Sequence, residues 1–332
     1  MQVGFFFWPY NLELVEKLAK GADRYDYDII GIADTPGNAM DPWVSAALVA
    51  RATQKTRVAL CVTNLVTRDA AVSAAAIASV DHVSGGRAVL GIGAGHSGTK
   101  NLGRGKSTAK DMGEGITFIK SLLRGELAEL NGVKSHLPWV KKPAKVFMAA
   151  SHPLGLATAG RAADGVFLNY GLGADNIAQS EAIVAKGVTE AGRAPQDVEI
   201  WQIAALDCAE NGDVARDKVG AMLAFLAGYV IGDKNLETRG VPEHLRELLL
   251  ELRQRYSTRP GEADIKLVRE LGLFDYLSGR LSICGTPDEC LPQALAAKKA
   301  GAKRLMLTVS LASDPVRTVE LFGKHVLPKL RD

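Results

Sequence analysis

The sequence predicts an α/β chain folded as a (β/α)8 TIM barrel, and three observations carry that prediction. Short apolar runs alternate with helix-forming stretches from the first residues onward. Eight such runs are present, most of them followed by a helical stretch. The length, 332 residues, suits one large barrel as well as two smaller domains. A strand followed by a helix and another strand needs a crossover connection, so the alternation demands a parallel sheet. Eight such units close it into a barrel.

The elements follow in order. Residues 2–8 read as a strand and 12–20 as an amphipathic helix. The strand over 28–33 is β-branched at Ile29, Ile30 and Ile32 and is closed by Asp34-Thr35-Pro36-Gly37. The helix over 42–54 starts with Asp41 as N-cap and Pro42 at its first position. Residues 57–63 form strand three, and the Ala-rich helix over 70–83 ends at Gly85-Gly86. Strand four covers 87–92 and its helix 108–123. Strands over 145–149, 165–168, 198–206 and 303–309 follow, with helices over 153–163, 174–191, 215–226 and 315–327. Between 226 and 303 lie about 75 residues, where one unit needs roughly 30. The expected organisation is therefore one domain over 1–332 with a helical insertion at about 230–280. Charged helices over 243–255 and 264–271 would make that insertion either a solvated excursion or a lid over the barrel mouth.

Composition removes several function classes. Hydrophobic residues make up 47 % and charged residues 23 %, as in ordered soluble chains. A net charge of +3 with no Lys/Arg-rich run gives no nucleic-acid footprint. No apolar stretch approaches the 18 or so residues of a membrane span, and no signal-peptide pattern precedes Phe5-Phe6-Phe7-Trp8, so the cytoplasm is the expected compartment. Cys61, Cys208, Cys284 and Cys290 are scattered, without a disulfide framework or paired zinc spacing, and no metal site is expected.

Two strand-to-helix junctions stand out. Gly93-Ala94-Gly95-His96-Ser97-Gly98 matches the dinucleotide fingerprint G-x-G-x-x-G. It follows the fourth strand, however, and Asn101–Gly105 separates it from the next helix, so a glycine-rich loop at the active face of a barrel suits it better. The second junction is Ala150-Ser151-His152-Pro153-Leu154-Gly155, with Ser151 as N-cap and Pro153 in the first turn. The free N–H groups of such a helix start attract an anion. His96 and His152 both sit on these loops, where imidazole serves as acid or base near neutral pH. No G-x-S-x-G elbow is present, which disfavours a hydrolase.

Val62-Thr63-Asn64-Leu65-Val66-Thr67-Arg68 and Asp81-His82-Val83-Ser84-Gly85-Gly86-Arg87-Ala88-Val89-Leu90-Gly91-Ile92-Gly93-Ala94-Gly95 resemble the bacterial luciferase-like superfamily. Within it, the chain looks most similar to the branch around methylenetetrahydromethanopterin reductase. The resemblance is dense from about Asp28 to Gly105, weaker through 149–165 and 285–307, and faint in the insertion. It implies a reduced cofactor at the barrel mouth, either FMN or a deazaflavin. It implies a non-prolyl cis peptide at Cys61-Val62 beneath the ring, which makes Cys61 a packing element rather than a nucleophile. Asn64 belongs to the same motif. Gly93, Gly95 and Ser97 on one loop, with Ala150, Ser151 and Gly155 on the other, would hold the ribityl chain and phosphate. Asn169 and Gly171 would complete the wall.

Many catalytic members follow the acidic residue of strand two with His, and here Asp34 is followed by Thr35. The expected catalytic pair is therefore Asp34 with His96 as proton donor. Phe7, Trp8 and Trp201 would line a dry substrate pocket. The leading expectation is a monooxygenase using reduced FMN and O2 on a small organic substrate, supplied by a flavin reductase and assembled as a homo-oligomer. The alternative is a deazaflavin-dependent hydride-transfer reductase or dehydrogenase. A flavin-binding protein without turnover and a nicotinamide-dependent Rossmann enzyme stand behind these two.

Overall fold

The computed structural model describes residues 1–230 and 236–331. Residues 231–235, where the expected insertion begins, lie outside the described residues. The fold class is the parallel (β/α)8 barrel. The strands are β1 (Gln2–Phe7), β2 (Ile29–Ile32), β3 (Arg57–Asn64), β4 (Ala88–Gly93), β5 (Ala128–Leu130), β6 (Val133–Ser135), β7 (Lys145–Ala150), β8 (Gly165–Leu168), β9 (Glu199–Cys208), β10 (Ser282–Gly285) and β11 (Arg304–Thr308). The first helices are α1 (Leu12–Arg24), α2 (Pro42–Ala52), α3 (Ala70–Ser84), α4 (Ser97–Lys100), α5 (Ala109–Leu123) and α6 (Pro153–Ala162).

Two compact units make up the chain. One comprises Phe6–Leu168 and Glu181–Ile200. In it β2, β3, β4, β7 and β8 lie side by side, all parallel. Central strands such as β4 are buried throughout, as parallel strands covered on both faces must be. The helices read as the sequence suggests. Asn11 caps α1, which buries Val15, Leu18, Ala19 and Ala22. Asp41 caps α2 ahead of Pro42, and Gly85 ends α3 in the left-handed conformation that a β-carbon would penalise. Thr108 and Asp111 form a reciprocal capping box at the start of α5. β5 and β6 form a small antiparallel hairpin absent from the sequence expectation.

The other unit comprises Met1–Phe5, Asn169–Ser180 and the chain from Trp201 onward. Within it β10 and β11 both pair parallel with β9, β11 beside its earlier residues and β10 beside its last four. β10 is an addition to the eight expected strands. Its four residues, Ser-Ile-Cys-Gly, are too few to show a period, and they fall just beyond the stretch of about 230–280 read as insertion. The described part of that stretch is helical over Arg246–Arg255, Leu267–Glu270 and Phe274–Leu281, and buries Leu249, Leu252, Leu267, Val268 and Leu277. No helix among the described residues is long and apolar enough to cross a membrane.

Candidate active site

Four adjacent strands of the first unit end on the residues that the sequence singles out. Asp34 lies two residues beyond β2, Asn64 ends β3, Gly93 ends β4, and Ala150 ends β7. In a parallel barrel these C-terminal ends form the face on which sites are built.

Asp34 is the centre of the cluster. Its side chain is fully buried. Its Oδ2 accepts hydrogen bonds from Thr63 Oγ1 at 2.6 Å and Arg68 Nε at 3.2 Å. Its Oδ1 is buried with no hydrogen-bond partner. A buried carboxylate oxygen left in that state costs free energy unless something donates to it.

β3 supplies the neighbours. A cis peptide bond lies at Cys61-Val62, where the pairing of β3 with β4 shifts register. The Val62 side chain presses on β4: a β-carbon at Gly93 would lie 2.6 Å from its Cγ2. Glycine is thus required at the end of β4 by what the adjacent strand places there. Cys61 is buried, and burial pushes its thiol far up its scale, which disfavours the nucleophilic thiolate. Asn64 Oδ1 accepts from Val66 N, Thr67 N and Thr67 Oγ1 at 2.9–3.1 Å, which folds the following loop into a fixed turn.

The glycine-rich loop closes over this floor. It contains the one-turn helix α4, so a helix opens inside the motif rather than beyond it. A β-carbon at Gly98 would stand 2.8 Å from the main-chain oxygen of Asp34 and 3.4 Å from Asn64 Nδ2. The loop backbone therefore touches both. Gly95 adopts φ +89°, and Ser97 is buried. His96, two residues from Gly98, is half-buried, and its carbonyl accepts from Lys100 N at 2.8 Å. Asn101 Nδ2 donates to Asn38 Oδ1 at 2.9 Å, tying this loop to the one after β2.

At β7 the structure corrects one expectation. The N-cap of α6 is His152, not Ser151, because Pro153 takes the first helical position and fixes the residue before it as the cap. Ser151 remains close to the helix start, and its Oγ is buried without a hydrogen-bond partner. Gly155 lies against Ala150: a β-carbon at Gly155 would meet Ala150 Cβ at 3.5 Å, an ordinary contact.

The remaining expected residues separate into two groups. Phe7 and Trp8 are buried at the end of β1, where Phe7 O accepts from Ala33 N at 3.1 Å beside Asp34. Asn169, Gly171 and Trp201 belong to the other unit. There Asn169 Oδ1 is buried and unpartnered, and Gly171 has φ +126° with the Arg280 side chain packed against it. Trp201 is completely buried near the start of β9, seven residues or about 23 Å before that strand's C-terminal end. It therefore stands at the end of the strand opposite to the one that carries barrel sites. The sequence reading assigned no role to Thr63 or Arg68. Both lie in the motif strand and loop, but their tie to Asp34 spans 29 and 34 residues and no local period reveals it. Among the described residues no cluster of three His, Cys, Asp or Glu could hold a metal ion.

The family model for luciferase-like monooxygenases matches residues 9–304. The 5,10-methylenetetrahydromethanopterin reductase of Methanolobus tindarius is 27 % identical over 98 % of this chain and all of its own length. The solved coenzyme F420-dependent tetrahydromethanopterin reductase of Methanopyrus kandleri superposes with a TM-score of 0.81, at 24 % identity over 99 % of both chains. Monooxygenase RslO1 of Streptomyces bottropensis gives a TM-score of 0.70 at 18 % identity, again over 99 % of both chains.

Proposed function

The chain belongs to the luciferase-like monooxygenase family of oxidoreductases, and from that premise we propose that it is a deazaflavin-dependent hydride-transfer enzyme, a reductase or dehydrogenase of the F420-using kind. The observation that carries this reading is the end-to-end match with the Methanolobus tindarius reductase, taken with the superposition on the F420-dependent reductase of Methanopyrus kandleri. The branch resemblance in the β3–β4 motifs points the same way. Reduced FMN with O2, the leading expectation from sequence alone, is the second reading, and the family's description as monooxygenases favours it.

The residues present fit a flavin-type group. Two buried polar atoms at the strand ends, Asp34 Oδ1 and Ser151 Oγ, await hydrogen-bond partners. Val62, Gly93 and Gly98 pack tightly beside Asp34 and Asn64 at these strand ends. A bound deazaflavin would supply or accept a hydride. Around it, Asp34 accepts a hydrogen bond through Oδ1 while Thr63 and Arg68 hold Oδ2. Ser151 and the free N–H groups through Gly155 take the phosphate, since a helix start favours an anion. Gly95 and Ser97 support the ribityl chain. His96 moves the proton that Thr35, whose hydroxyl is no base near neutral pH, cannot. Phe7 and Trp8 exclude water from the same face.

Side-by-side equilibrium titrations with F420, FMN and NAD test the reading. Saturable binding of F420 at least tenfold tighter than FMN is expected. Preference for FMN, with oxygen consumed by the reduced complex, would replace it by the monooxygenase reading. Tight binding of NAD alone would remove both.

A further inference from the structure

Arg68 sits where two loops and one helix meet. It leaves the Asn64 turn immediately before Asp69, which caps α3 through Ala71 N at 2.7 Å and Val72 N at 3.3 Å. Its backbone is therefore held between a side-chain-closed turn and a helix start. Its guanidinium then divides between two carboxylates. Nε donates to Asp34 Oδ2 at 3.2 Å, and Nη2 donates to Asp41 Oδ2 at 2.5 Å. Asp41 uses its other oxygen to cap α2, accepting from Trp43 N at 2.9 Å and Val44 N at 3.1 Å. The guanidinium also stands 5.8 Å from the Trp43 ring centroid.

The consequence is geometric. Asp34 and Asp41 are the two ends of the loop after β2, and one side chain grips both. Inside the loop, Asn38 N donates to Thr35 O at 3.0 Å and Asn38 Nδ2 to Thr35 Oγ1 at 3.1 Å. Thr63 and Arg68 both donate to Oδ2 of Asp34, and Oδ1 is the oxygen left over. An ordinary surface ion pair would not do this. The Arg68 side chain is 28 % exposed, but that of Asp34 is 0 %, so removing the cation leaves a buried carboxylate without its charge partner.

We propose that Arg68 is a positioning residue that, by clasping Asp34 and Asp41 together, presents Asp34 Oδ1 to an N–H or O–H donor of the bound coenzyme. The inference rests on the coenzyme-site reading above. Arginine suits the task because its planar fork reaches two acceptors at fixed angles, which a lysine ammonium does not.

A double-mutant cycle on coenzyme affinity tests it, with F420 and FMN as the two probes and binding followed by absorbance and fluorescence. Asp34→Asn and Arg68→Gln are each expected to weaken the preferred probe about tenfold. The double variant is expected to be no weaker than Asp34→Asn alone, because Arg68 reaches the coenzyme through the Asp34 carboxylate that it positions. Arg68→Lys, which keeps the charge near Asp34, serves if Arg68→Gln does not fold, and should lose affinity by an intermediate factor. Losses that multiply in the double variant, or unchanged affinity in the folded Arg68 variants, would overturn the proposal and leave the coenzyme site standing. Failure of the unmodified protein to bind either probe would remove the site reading, and this inference with it.

Discussion

Two buried aspartates stand at strand ends, and they are treated oppositely. Asp207, next to last in β9, has both oxygens engaged: Ser313 N and Ser313 Oγ donate at 2.7 Å each, and Thr318 Oγ1 at 3.3 Å. None of these partners is a cation. Burial pushes its pKa up to about 6 against the hydrogen bonds that oppose it, and Asp314 adds a like charge. Asp34 has a guanidinium and a hydroxyl on one oxygen and nothing on the other. Asp207 is a staple that fastens the loop after β11. Asp34 has capacity left over. Unspent hydrogen-bonding capacity, not burial or position, is what distinguishes Asp34 from Asp207, and the role proposed for Asp34 rests on that difference.

That contrast can be broken most sharply at Asp34. Asp34→Asn is expected to lower turnover by about 10³-fold, within the usual range for a group placed on the reacting face, with the melting temperature little changed. Steady-state kinetics and thermal unfolding of the same preparation check it, and full activity would reduce Asp34 to a second staple. His96→Gln is expected to cost about 10²-fold in turnover with coenzyme affinity intact. An unchanged rate and pH profile would make His96 a bystander beside the glycines.

Asp207 carries the next largest effect, and it is one of stability. Its folded pKa lies above the ordinary 3.8, so the folded chain keeps a proton that the unfolded chain releases. The stabilisation is complete below about pH 4 and is lost as pH rises through 6, amounting to about 3 kcal/mol. Urea unfolding across that range should show the loss in the unmodified protein and a flatter profile in Asp207→Asn. Parallel profiles would mean that Asp207 titrates normally. The smallest effect belongs to Ser151. Ser151→Ala should weaken a phosphorylated coenzyme by about 1–2 kcal/mol more than its dephosphorylated form, the cost of one charge-assisted hydrogen bond. Equal losses would take Ser151 out of the phosphate contact.

Much of the fold was legible because alternation of period-two and helical stretches is a local signal. The strands from β1 to β4 were read to within a residue or so of their ends, and Asp41 and Gly85 mark helix ends by side-chain type alone. β10 was not legible, since four residues hold no period. The N-cap of α6 was misplaced by one residue because Ser151 has the better capping chemistry, whereas Pro153 dictates the position. Asp34 was readable as an acid closing a strand. Its hydrogen bonds were not, because Thr63 and Arg68 reach it across strands, and register is a tertiary property. Trp201 shows the same limit: composition says that it is buried, but not at which end of β9.

The crystal structure of the chain grown with F420 is the most direct test. The expected result is the ring over Cys61-Val62, a ring N–H or O–H within hydrogen-bonding distance of Asp34 Oδ1, and the phosphate against Ser151 and the start of α6. A coenzyme bound elsewhere, or bound there with Asp34 Oδ1 still unpartnered, would contradict it.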